Sequence, residues 1–180
     1  MALIRNIIAL FRGNIKFFFL KMAHPKQFKY NTFLRIGREV DVRIGRNSTL
    51  SLGKGVLVNQ GTVLSSTDGG TLIIGNMVGL NNNTMVFCHE RVEIGDNTIM
   101  GPGVCIYDHD HVFSTTDGVK RNEYKTAPVK IGKGCWIGAG TIILRGSEVG
   151  DNCLIAAGAV VKGTYAPGSV VIQKRQEEIK

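Results

Sequence analysis

The chain has 180 residues, 43% of them hydrophobic and 20% charged, with a formal net charge of +8. That length and balance fit one globular domain with a substantial core and exclude a disordered chain. Lys and Arg are scattered from Arg5 to Lys180, with no dense run and no aromatic-interleaved stripe, which argues against nucleic acid as a partner.

The first predicted element is an N-terminal amphipathic segment, residues 1–30, which opens "MALIRNIIALFRGNIKFFFLKM". Leu3, Ile4, Ile7, Ile8 and Phe11 fall at helical spacing, interrupted by Arg5, Arg12, Lys16 and Lys21. The apolar runs are too short to span a bilayer, and no small-residue cleavage site follows them. Two readings stay open: the helix packs over the open end of the core or on a neighbouring subunit, or it lies in a membrane interface as a peripheral contact. Packing is the ordinary fate of such a stripe and is the expectation.

From residue 31 to 166 the sequence repeats. Ile36-Gly37, Ile44-Gly45 and Leu52-Gly53 are spaced by eight; Ile74, Leu80 and Val86 by six; then, after a two-residue slip, come Ile94, Met100 and Ile106. Beyond an interruption the beat is strict: Ile131, Ile137, Ile143, Val149, Ile155 and Val161. Four residues after the first five of these stand Cys135, Thr141, Ser147, Cys153 and Ala159, all small. A period of six fits neither a helix nor a plain alternating strand. It fits short strands joined by sharp corners, each giving one inward aliphatic, so that three strands make a coil of about 18 residues and stacked coils share one core. The expected fold is therefore all-β, a parallel β-helix with Cys135 stacked on Cys153. None of the four cysteines forms a CxxC pair, so reduced, buried thiols of a cytosolic protein are expected rather than a zinc knot. Residues 167–180 form a C-terminal tail, whose end "QKRQEEIK" reads as a short helix.

The interruption runs from Ile106 to Ile131, 25 residues where the beat needs six. Residues 107–130 thus leave the coil as a polar loop carrying Asp108, His109, Asp110 and His111. Segments expelled from a rigid scaffold are where function is commonly placed.

The pattern of aliphatic, small, two variable residues and small, from Leu34 to Val161, resembles the hexapeptide-repeat acyltransferase family. The text "IYDHDH", a loop, then "VKIGKGCWIGAGTIILRGSEVGDNCLIAAGAVV" is most similar to maltose and galactoside acetyltransferases and to the O-acetyltransferases of capsular and exopolysaccharide synthesis. The resemblance implies a left-handed β-helix, a homotrimer with active sites between subunits, acetyl-CoA as co-substrate, no metal, a sugar or polysaccharide acceptor and a cytoplasmic enzyme. Counted from Ile106, the family's catalytic histidine falls at His111, with His109 as the competing candidate. An imidazole near its reference pKa can take the proton of an attacking sugar hydroxyl and return it to the leaving thiolate.

By the same resemblance Trp136 packs by the donor cleft, and Gly138, Ala139 and Ala157 line the pantetheine channel. Lys162 lies near a lysine that meets coenzyme A phosphates, although the usual Thr-Lys pair is Lys162-Gly163 here. The family's Gly-Asn-Pro-Ala ending is replaced by "YAPGSVVIQKR", with Lys174 and Arg175 as substitutes. Asn81 and Asn83 align with sugar-hydroxyl ligands, and His89 stands where some relatives have an acidic one.

Plainer readings accompany each assignment. Asp108 and Asp110 could orient an imidazole but are expected to be solvated loop carboxylates. Trp136 could merely steady the loop's return, the small residues serve the repeat itself, and the asparagines could form a corner ladder. Rival functions are a γ-type carbonic anhydrase with His89, His109 and His111 on zinc, an acyltransferase fed by an acidic acyl carrier protein, and a non-catalytic scaffold.

Overall fold

The computed structural model describes residues 2–31 and 34–173. Short strands build three parallel sheets of seven, seven and six members, whose order rises through the chain every third strand once the two strands of a separate hairpin are set aside. This is the coil expected from the repeat, and the inward positions match it. Ile131, Ile137, Ile143, Val149, Ile155 and Val161 are all buried, as are the small residues Cys135, Thr141, Ser147, Cys153 and Ala159 behind them. Trp136 N–H donates to the Cys153 carbonyl at 2.9 Å, which sets the two cysteines in neighbouring coils one above the other.

Coil size explains the looser N-terminal spacing. In the last coils, partners such as Trp136 and Leu154 or Ile142 and Val160 are 18 residues apart. In the first coils, Leu50 pairs with Leu72 and Leu64 with Val86, 22 residues apart. The extra length lies in four-residue strands such as Thr49–Leu52 and Val63–Ser66, each of which points two residues inward instead of one. A strand with one more inward residue is two residues longer, because its side chains alternate. Spacing by eight is spacing by six plus that pair.

Helix Ala2–Ala23 covers the open end of the first coil, as the packing reading expected, but through Gly13, Phe17 and Leu20, whereas Phe11 of the stripe read from the sequence is exposed. Phe17 is fully buried with its ring edge-on to Phe28 at 5.3 Å and to Tyr30 at 5.8 Å. Gly13 permits the approach, since a Cβ there would lie 2.4 Å from Ile36 Cγ1. Lys21 Nζ donates to the carbonyls of Pro25 and Phe28 at 2.6 Å, fastening the end of the helix to the first strand. Replacement of Phe17 by Ala is expected to cost about 3–5 kcal/mol through the cavity it leaves, read as a lower urea midpoint at unchanged m-value. At the other end Gln173 bonds both backbone groups of Val160 through its side chain, at 2.6 and 2.9 Å. The helix expected at the C-terminus, with Lys174 and Arg175, falls on residues 174–180, outside the described residues.

Among the described residues no helix is long and apolar enough to cross a membrane. The expelled segment is not an irregular loop. It is an antiparallel hairpin of His109–Ser114 with Gly118–Thr126, bulged between His111 and Val112. Val112 and Phe113 are adjacent and Val119 and Tyr124 are five apart, so no period-two pattern in the sequence announces the pairing, and the bulge shifts its register.

Candidate active site

The hairpin leaves and re-enters the coil at a backbone bond from Ala127 N–H to the Asp108 carbonyl, 2.9 Å long. The corner next to it, between strands Met85–Cys88 and Arg91–Ile94, is only His89 and Glu90. The corresponding corner one coil earlier has four residues, Thr67 to Gly70, and closes on its own bond from Gly70 N–H to the Thr67 carbonyl. The shortened corner turns its donors toward the next coil, where Asp108 waits. The Asp108 carboxylate accepts from the N–H groups of His89, Glu90 and Arg91 at 2.8–2.9 Å. It is fully buried, which corrects the expectation of a solvated loop carboxylate. Asp110 is the half-exposed one and ion-pairs with Arg145, whose coil corner thereby grips the hairpin root.

Asp108 also holds His109, with Nδ1 of the ring 3.1 Å from Oδ1. The His109 ring stacks on His89 with centroids 3.6 Å apart and planes 8° from parallel. Tyr124, from the returning hairpin strand, stands edge-on to both at 4.6 and 5.4 Å. Two imidazoles, a buried carboxylate and a phenol therefore meet at one corner of the prism. His111 is exposed and meets this group at Tyr124, ring centroids 4.7 Å apart. Fixing Nδ1 of His109 on a carboxylate leaves its Nε2 as the group able to exchange a proton with a bound substrate.

His89 is nearly enclosed. Its Nδ1 lies 3.3 Å from Asp68 Oδ2 but makes no aligned hydrogen bond. Burial, then the neighbouring His109, lower its pKa below the ordinary 6.5. The unfolded chain therefore takes up this proton first as pH falls. Stability contributed by neutral His89 is complete above about 6.5 and is lost as pH drops toward its folded pKa. Imidazole NMR titration should place the His89 midpoint below 6.5, and urea midpoints should fall over the same interval.

Burial first, and the Asp108 charge second, push the Cys88 thiol up to about 12. Cys88 in the folded protein should resist iodoacetamide at about pH 8 and react once urea unfolds the chain, as peptide mass mapping would show.

The remaining expected residues lie elsewhere on the chain. Asn81 and Asn83 precede strand Met85–Cys88, whereas His89 follows it, so the strand separates them from the histidines within one chain. Asn81 Oδ1 accepts from Asn59 Nδ2 at 3.2 Å and from Asn82 N–H at 2.8 Å, an asparagine ladder between coils. Asn83 occupies the left-handed corner position at φ 57°. Trp136 is exposed on the outer side of the second sheet, in register with Ile99 and Leu154. Ala139, Ala157 and Lys162 are exposed, while Gly138 serves the stacking itself, because a Cβ there would come 2.4 Å from Ala157 N. The stacked rings of His89 and His109 keep their lone pairs in parallel planes and do not converge. Among the described residues no group of three or more His, Cys, Asp or Glu could hold a metal ion.

Sequence reasoning did not single out Asp68, Tyr124 or Arg145. Tyr124 carried a signal, as the one tyrosine between residues 109 and 126; the other two become neighbours only through coil stacking.

Residues 128–163 match the family described as bacterial transferase hexapeptide (six repeats). The chain is 31% identical over 102 residues to the galactoside O-acetyltransferase of Escherichia coli, covering 57% of this chain and 50% of that one. It is 24% identical over 136 residues, 71% and 69% of the two chains, to WbbJ of Escherichia coli, whose assignment as a lipopolysaccharide-biosynthesis O-acetyl transferase is itself provisional. It spans about half the length of several curated relatives it matches. A variant of the N-acyltransferase AntD from Bacillus cereus, crystallised with dTDP-4-amino-4,6-dideoxyglucose and coenzyme A, has a TM-score of 0.69 at 18% identity over 86% of this chain and 82% of that one, a likeness of fold. The maltose O-acetyltransferase of Clostridium difficile 630 has a TM-score of 0.51 at 26% identity, over 84% and 68%. Residues 128–163 of the β-helix thus match a hexapeptide-repeat family, and the chain is similar in sequence to a galactoside and a maltose O-acetyltransferase.

Proposed function

We propose that the protein is an acetyl-CoA-dependent O-acetyltransferase that acetylates a sugar hydroxyl, with His109 as general base. The observation that carries this reading is the Asp108–His109 pair at the root of the expelled hairpin, with Nδ1 held at 3.1 Å from a fully buried carboxylate. Family spacing favours His111, but His111 is exposed and has no carboxylate partner among the described residues. A base must present one nitrogen in a fixed direction, and of these two histidines His109 is the one held on a carboxylate.

In this reaction Nε2 of His109 takes the proton as the sugar oxygen attacks the thioester carbonyl. The tetrahedral intermediate then collapses, the carbon–sulfur bond breaks, and the imidazolium returns the proton to the thiolate. The products are an acetyl ester and free coenzyme A. Asp108 keeps the ring in one orientation and offsets its transient charge. His89 stacked against the ring limits its rotation.

Coenzyme A is placed along the exposed side of the second sheet, on Trp136, Ala139 and Ala157, with Gly138 keeping the coils close and Lys162 toward the phosphates. Asn81 and Asn83 are placed as acceptor ligands supplied across a homotrimer interface, because within one chain they stand apart from His109. The acceptor is a sugar of a surface polysaccharide or its precursor, a reading supported by the WbbJ likeness, and the work is done in the cytoplasm.

The test is calorimetric titration of the purified protein with acetyl-CoA, followed by thiol release against a panel of hydroxyl and amino sugars. Binding at about one site per chain in the micromolar range, with coenzyme A released only when a hydroxyl sugar is present, is expected. Transfer confined to amino sugars would make it an N-acyltransferase. No binding would overturn the reading.

A further inference from the structure

The net charge is not spread evenly. Residues 1–46 contain ten Lys or Arg and two Asp or Glu, whereas residues 47–180 contain twelve of each. All of the +8 therefore belongs to the helix and the first coil. Within that coil the basic residues face outward on every side. Lys29 lies on the first sheet, Arg35 on the second and Arg43 on the third, with Lys26, Arg38 and Arg46 at the corners, all exposed. Arg43 pairs with Asp41, but Lys26, Lys29, Arg35, Arg38 and Arg46 have no carboxylate at ion-pair distance among the described residues.

The helix at this end is apolar on two opposite sides. Gly13, Phe17 and Leu20 face the coil. Phe11, Ile15, Phe18 and Met22, spaced by four, three and four, form a stripe on the other side, with Phe19 beside it, all between 55% and 68% exposed. A helix that only capped the core would be polar on its outer face. Here a large apolar stripe, three of its side chains phenylalanine, points away from the protein and is ringed by unpaired positive charge.

We infer that this end of the β-helix docks on an anionic membrane surface. The apolar stripe enters the headgroup boundary and the basic ring meets lipid phosphates, so that the coils stand out from the bilayer. The charge ring selects this occupant over an uncharged apolar partner. The inference does not depend on the acetyl-transfer reading.

The experiment is co-flotation of the full chain with vesicles of phosphatidylcholine alone and of phosphatidylcholine with about one third phosphatidylglycerol. At about 0.1 M salt at least a tenfold preference for the anionic vesicles is expected, falling steeply at about 1 M. The triple variant Phe11→Ser, Phe18→Ser, Met22→Ser and the charge variant Lys26→Glu, Lys29→Glu, Arg46→Glu should each lose most of that binding. Both alter exposed positions, so thermal melting and mass by light scattering should match the parent. Equal binding to the two vesicles, or retained binding by the triple variant, would overturn the inference. A triple variant of smaller mass, from a parent that ignores vesicles, would overturn it in favour of a second copy of the chain.

Discussion

Replacement of His109 by alanine should lower kcat for acetyl transfer by roughly 10²–10⁴, the usual contribution of a positioned general base. Binding of acetyl-CoA should change little, because the thioester is recognised by other parts of the coil. The His111→Ala variant should keep turnover within about tenfold of the parent, its imidazole being exposed and in ring contact with Tyr124 rather than held by a carboxylate. Steady-state kinetics beside calorimetric donor titration separates the two. If His111→Ala silences the enzyme and His109→Ala does not, the spacing of the family outweighs the geometry and the assigned base is wrong.

The second large effect is expected at Asp108. Its fully buried carboxylate accepts three backbone N–H bonds from the part-buried corner and touches Nδ1 of His109. Asp108→Ala would leave those donors without an acceptor. Unmet buried donors cost about 1–3 kcal/mol each before local rearrangement, so a loss on the order of 3–5 kcal/mol is expected in urea unfolding. Asp108→Asn keeps the size and one acceptor oxygen but sets an amide N–H₂ against the corner donors. It should fold with a smaller loss, yet turn over at least about tenfold more slowly, since the imidazole loses its charged partner. Turnover by Asp108→Asn equal to the parent would reduce Asp108 to a corner cap.

Much of the architecture was legible in the residues. One inward aliphatic every six residues has few structural solutions, and the small residues four positions later occupy the buried corners between strands. The eight-residue spacing of Ile36, Ile44 and Leu52 was legible too, though as looseness; strands with two inward residues give it a regular cause. The N-terminal stripe announced a helix, but its member Phe11 is exposed. The packing face of Gly13, Phe17 and Leu20 went unread because Phe17, Phe18 and Phe19 are consecutive, and only docking decides which of the three is buried.

The site was only partly legible. An expelled segment with two histidines pointed to the corner where the imidazoles, the carboxylate and the phenol meet, and His89 was tied to it only by resemblance. Asp108 looks in sequence like any loop aspartate, because nothing local shows that a corner two residues short stands one coil away with its N–H groups unmet. By itself the sequence determined the period, the inward columns, the point of interruption and the chemistry available there, since these follow from side-chain size and alternation along the chain. Which histidine is oriented, which aspartate is buried and which phenylalanines face outward was decided by the tertiary structure alone. Those depend on contacts between residues one coil apart, and coil length rather than local sequence sets which residues meet.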